Sequence, residues 1–133
     1  MGELGRLDDA VEAFQQALEL HTADNHRPGI VLALSNIGYT YARMNGWARA
    51  FSYLEDALDL ARKAGELRLE AGVLQNLGET HRAVADHDRA LGDLEAALAI
   101  RLREALAASR ELGDRHLETA TLAHLRATPA DRQ

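Results

Sequence analysis

Residues 31–60 and 71–100 of this chain align without a gap, forty positions apart, and ten of the thirty columns are identical. The identities are Leu34/Leu74, Asn36/Asn76, Gly38/Gly78, Thr40/Thr80, Arg49/Arg89, Ala50/Ala90, Leu54/Leu94, Glu55/Glu95, Ala57/Ala97 and Leu58/Leu98. Others keep their type, as Ile37/Leu77 and Leu60/Ile100 do. An earlier partial copy holds the same register: Ala10, Phe14, Ala17, Leu18 and Leu20 match Ala50, Leu54, Ala57, Leu58 and Leu60. A fourth, fainter copy, "GDRHLETATLAHL" (113–125), matches "GELRLEAGVLQNL" (65–77) at an offset of 48, eight beyond the period. A fixed period constrains the fold strongly. Each copy is one supersecondary unit that cannot bury its apolar face alone, so the units must stack.

The composition says which unit. Ala, Leu, Glu, Asp and Arg dominate, and the only prolines are Pro28 and Pro129. All of these but Asp are strong helix formers, and breakers are few, so the chain is expected to be all-α. Each unit reads as two helices. The first covers roughly 30–44, with Leu34, Ile37 and Tyr41 at helical spacing. A break follows at Asn45-Gly46. The second covers roughly 47–63 with Ala50, Leu54, Ala57 and Leu58 on its face, and Gly65 suits its end. Gly38 and Ala50 are expected where the helices of a unit cross, because a side chain there would push them apart. Ala57 is expected where the next unit packs. The division follows: 1–26 a partial repeat, 27–66 a repeat, 67–112 a repeat with an extended second helix over 87–112, and 113–128 a capping helix.

The partial repeat reads as the last turn of a first helix, "MGELG", a turn "GRLDDA" and a second helix from Asp8 to His21. Val11, Phe14 and Leu18 then have no partner on one side. A bare apolar face marks an interface, which predicts either self-association through these three residues or a longer parent array.

Much is excluded. The formal net charge is −6, the wrong sign for phosphate binding, so no nucleic acid is expected. No apolar run approaches a membrane span. The opening lacks the basic and apolar regions of a signal peptide. Cysteine is absent, which leaves a reducing cytoplasm as the default compartment. The histidines, His21, His26, His81, His87, His116 and His124, form no metal pair at helical spacing. There is no phosphate loop and no nucleophile–base arrangement. The expectation is a non-catalytic protein with no cofactor and no metal.

Small residues at Gly38, Ala50 and Ala57, set among Leu34, Ile37, Tyr41 and Leu54, resemble the tetratricopeptide repeat. Gly78, Ala90 and Ala97, with Leu74, Leu77 and Leu94, resemble it again. The spacing of forty is longer than the usual 34. It is similar to the long-repeat branch found in kinesin light chains and in bacterial multidomain regulators. The Asn36–Gly38, Asn76–Gly78, Gly65–Glu70 and Gly113–Glu118 elements carry that likeness. His81 stands where the family has tyrosine. The resemblance implies an α-α superhelix, a solenoid of antiparallel helix pairs, whose first helices line a concave groove.

Mapped onto this chain, the groove residues are Ser35, Asn36, Tyr39, Arg43, Gln75, Asn76, Glu79 and Arg82, with Leu32 and Ala42 beside them. Ala120, Ala123 and His124 extend the set. Asn36 and Asn76 recur in register although asparagine is poor in helix interiors. A side-chain amide offers donors and an acceptor, so each could grip a peptide backbone or hold neighbouring helices in register. Arg43 and Arg82 could meet a carboxylate, or be solvated helix charges. Tyr39 could be an anchor or an exposed ring. Trp47 is expected to pack on the first half-unit. The implied function is protein or peptide binding, as the sensor or scaffold part of a bacterial signalling protein or transcriptional regulator. The alternative is a structural unit that oligomerises through its first helix.

Overall fold

The computed structural model describes residues 2–127. Within them five α-helices follow one another: α1 (Glu3–Ala23), α2 (Arg27–Arg43), α3 (Trp47–Ala64), α4 (Leu67–Ala83) and α5 (His87–Ala127). The protein is all-α, as its composition requires.

The four turns share one device. A residue in the left-handed conformation sits at each of positions 25, 45, 65 and 85, twenty apart: Asn25 (φ 51°), Asn45 (φ 60°), Gly65 (φ 68°) and Ala85 (φ 64°). After each, the next N–H reaches five residues back to a helix carbonyl: His26 to His21, Gly46 to Tyr41, Glu66 to Ala61 and Asp86 to His81, at 2.8–3.1 Å. This satisfies carbonyls that the helix end leaves without partners. Asparagine and glycine suit the left-handed well, whereas alanine is strained there. Ala85→Gly is therefore expected to raise the unfolding free energy by about 1 kcal/mol, measured by urea denaturation, with Asn45→Gly changing it little.

The spacing does not continue into turns at positions 5 and 105. Position 5 continues the spacing backwards and carries glycine, yet Gly5 keeps helical angles and α1 begins at Glu3. "GRLDDA" is helix, not turn. Position 105 continues the spacing forwards. "EALAA" (104–108) has no breaker and the highest helix propensity available, so α5 runs on. It also passes through Gly113, which is not left-handed, while an Arg115–Glu111 ion pair bridges the point. The separate capping helix expected over 113–128 is thus the end of α5, and residue 128 lies outside the described residues.

The core of residues 2–100 is built by short helix hairpins, which place neighbours antiparallel. Val31, Leu54, Ala57, Ala61, Val73 and Leu77 form one buried cluster joining α2, α3 and α4. Ala71, Leu74, Ala97 and Ile100 form a second, joining α4 to α5. Gly38 and Gly78 are where the helices touch. A Cβ on Gly38 would lie 2.7 Å from Leu54 Cγ and 3.1 Å from the Ala50 carbonyl, and one on Gly78 would lie 2.7 Å from Leu94 Cγ. On α1, Val11 is buried and Phe14 and Leu18 are half-buried within the single chain, on the helix that packs against α2. The bare face expected of these three is therefore largely covered, and the exposed leucines of α1 are Leu4 and Leu20 instead.

His81 stands in register with Tyr41, and its partner has changed with it. Tyr41 stacks on Tyr53 at 5.8 Å between ring centroids. His81 Nδ1 instead lies 2.7 Å from an oxygen of Asp93, the residue in register with Tyr53. A stacked aromatic pair in one unit is a hydrogen-bonded polar pair in the next.

Residues 101–127 form a second unit, a helical stretch by itself. Leu102, Leu106, Leu112, Leu117 and Leu122 are all exposed on it. Ala120, Ala123 and His124 lie here, exposed.

Candidate functional site

First helices of consecutive units, α2 and α4, contact one another directly, each packed on its own second helix. The side chains left over on these two helices define one face. Two hollows open on it. The larger, about 320 Å³, lies between the first halves of α2 and α4. The smaller, about 140 Å³, lies between their second halves, where α3 begins.

Seven of the eight expected groove residues line these hollows. Ser35, Asn36, Gln75 and Asn76 border the larger. Tyr39, Arg43 and Glu79 border the smaller. Arg82 borders neither, although it is exposed on α4. Leu32 and Ala42 also line the face, one in each hollow.

The two asparagines have different surroundings. Asn76 Nδ2 donates to Ser35 Oγ at 2.9 Å, tying α4 to α2. That is the register-holding arrangement. Asn36 occupies the same place one unit earlier, and its side chain is exposed. Its backbone carbonyl accepts from the Thr40 hydroxyl at 2.7 Å, a bond repeated between Asn76 and Thr80. No side-chain hydrogen bond of Asn36 is present among the described residues, so its amide can meet a ligand.

Charges on the face are partly engaged within the chain. Arg43 pairs with Glu3 of α1 at 3.1 Å. Both side chains are exposed, so the pair adds little stability and yields readily. Gln75 Nε2 donates to Glu79 at 3.5 Å, a long and weak contact. Tyr39, 40% exposed, presents its ring beside the smaller hollow.

Trp47, Arg68 and Gly72 are among the lining residues that escaped the sequence reading. Trp47 borders the smaller hollow beside Tyr39 and Arg43. It was expected on the first half-unit, and the signal that it belongs here is its place as the first residue of α3, level with the end of α2. Arg68 and Gly72 border the larger hollow. Gly72 was visible in the alignment as the partner of Leu32.

No group of three or more His, Asp or Glu side chains that could hold a metal ion occurs among the described residues. No helix among them is long and apolar enough to cross a membrane.

Antiparallel helix pairs recurring with one packing pattern, and first helices sharing an open face, define a helical repeat protein. The sequence profile of the tetratricopeptide repeat matches residues 2–63 and again 31–103. The chain belongs to the tetratricopeptide repeat family. A comparison with curated proteins returned no match.

Proposed function

We propose that this protein is a non-catalytic interaction module, and that the α2–α4 face takes a peptide or partner domain. The family is a protein-binding one in general, and the observation that carries the reading to this face is Asn36. It is an amide in a helix interior, against propensity, exposed at the rim of a hollow. Tyr39 and Trp47 supply aromatic surface in the neighbouring hollow, of the kind that dominates binding energy at interfaces. Arg43 offers a charge for a partner carboxylate once it leaves Glu3.

The forty-residue period supports assignment to the long-repeat type, with units over 1–26, 27–66 and from 67 onward. A role as the sensor or scaffold part of a bacterial regulator in the cytoplasm belongs to the same proposal. It is supported by that period, the acidic charge and the absence of cysteine. A second reading is structural self-assembly. It is favoured by Leu91 and Leu98 of α5, 58% and 55% exposed, rather than by the covered strip of α1.

The test is a pull-down from cells of the source organism with the native chain and an Asn36→Ala/Tyr39→Ala/Gln75→Ala variant. Asn76 is left intact because it holds α4 to α2. Specific partners held by the native chain and lost by the variant are expected. Partners retained in full, or capture of the chain itself alone, would refute the groove reading.

A further inference from the structure

On α3, Phe51 and Leu58 are half-buried. They pack against the cluster in which Leu54 meets Val73 and Leu77 of α4. Their counterparts forty positions on, Leu91 and Leu98 of α5, are 58% and 55% exposed. The residues at these places are still large and apolar. What differs is that α4 follows α3, while no further helix follows α5 among the described residues.

The helix that covers α3 is written a second time in the sequence. Leu69 of α4 packs against the same cluster as Leu58, and Leu58 also packs against the cluster that holds Leu74. Forty-eight positions on, Leu117 and Leu122 repeat Leu69 and Leu74, and Glu118 repeats Glu70. Leu69 is half-buried and Leu74 is 2% exposed, whereas Leu117 and Leu122 are 68% and 45% exposed. Each bare strip thus carries the residues of one side of a contact that the chain already makes between α3 and α4. Both strips belong to one unbroken helix, on which side chains meet three and four positions apart and not at twenty. A second chain has to supply the match.

We propose that two copies of this chain exchange segments, residues 113–127 of each lying on Leu91 and Leu98 of the other. The inference develops the self-assembly reading above and makes no use of the α2–α4 face. Exchange of one element between identical chains closes with two-fold symmetry, so both strips of both copies are covered together. Charge follows the same plan. In the α3–α4 contact Arg62 reaches Glu70 at 3.5 Å. On α5, Leu102 stands for Arg62 and Arg101 for the buried Ala61. The cation has moved by one position, and Glu118 of the incoming segment keeps the acid opposite it.

Sedimentation velocity of the native chain should show a dimer. Leu98→Asp and Leu117→Asp/Leu122→Asp should each weaken it roughly tenfold or more, the worth of one buried apolar side chain or greater. All three residues are exposed in the single chain, so both variants should keep the native helical circular dichroism. Mixing the two variants should recover association, because one keeps the segment and the other keeps the strip. The chain has no cysteine, so a disulfide can be placed cleanly. Leu98→Cys mixed with Leu122→Cys should cross-link the two chains under mild oxidation, as the Leu58 and Leu74 counterparts lead one to expect. Asp56→Cys mixed with Leu122→Cys should not.

A monomeric native chain would overturn the exchange and the self-assembly reading together. A dimer lost in Leu98→Asp but kept in full by the Leu117/Leu122 variant would mean that the α5 strips meet each other. Self-assembly would then stand and the exchange would be wrong. A dimer unchanged in both variants, or a mixture of the two that stays monomeric, would equally overturn the exchange.

Discussion

Leu54→Ala should lower the unfolding free energy by about 3–4 kcal/mol, and Leu94→Ala by less than half of that. The two leucines are in register, forty apart, and each lies over a glycine of the first helix of its unit. Their burial differs. Leu54 is 0% exposed and belongs to the cluster that joins α2, α3 and α4. Its removal leaves a cavity walled on several sides, which the surroundings cannot fill. Leu94 is 37% exposed, so its loss removes contacts on one side and leaves no closed cavity. Urea denaturation checks this, with an unchanged slope showing that stability alone has moved. Equal costs at the two positions would contradict the account of the core.

Gly38→Ala should cost about 2 kcal/mol, and Gly78→Ala clearly less. One methyl group is added in each case, to the same contact. At Gly38 it meets Leu54 Cγ at 2.7 Å and the Ala50 carbonyl at 3.1 Å. Neither the buried leucine nor the backbone can move aside. At Gly78 the nearest atoms are Cγ and Cδ2 of Leu94, at 2.7 and 2.9 Å, with the Ala90 carbonyl at 3.3 Å. Leu94 is partly in solvent and can rotate away. The double variant Gly38→Ala/Leu54→Ala should destabilise by less than the sum of its parts, because truncating Leu54 removes the main clash. Contacting residues are where additivity fails.

Much of the fold was legible because packing leaves marks that solvation does not. Gly38, Ala50 and Ala57 are small because neighbouring helices come close, and their recurrence at 78, 90 and 97 shows the contact occurring twice. The turns were legible where the left-handed residue was asparagine or glycine, as at Asn45 and Gly65. Ala85 carries no such mark, and only its register with Asn45 placed the turn. The ends were misread for a physical reason. A glycine permits a turn but does not impose one, so Gly5 and Gly113 stay helical.

The candidate site was legible as a face rather than as a mechanism. The family resemblance, mapped through the repeat, put Asn36, Tyr39, Gln75 and Glu79 together on the face of the first helices. The repeat alignment could not separate Asn36 from Asn76. That difference lies in Ser35, whose hydroxyl accepts from Asn76 across forty-one positions of sequence. Trp47 was missed because it belongs to a second helix by sequence and reaches the face only through the tight turn at Asn45-Gly46.

The central claim is that partners bind on the α2–α4 face. The most direct measurement is photo-crosslinking in cells of the source organism, with a photoreactive phenylalanine analogue placed at Tyr39 in one variant and at Asp56 in another. Asp56 is exposed on α3, on a second helix. The account predicts discrete adducts to another protein from Tyr39, absent from Asp56 and competed by added unlabelled chain. Adducts from Asp56 alone, or adducts from Tyr39 only to further copies of this chain, would contradict it.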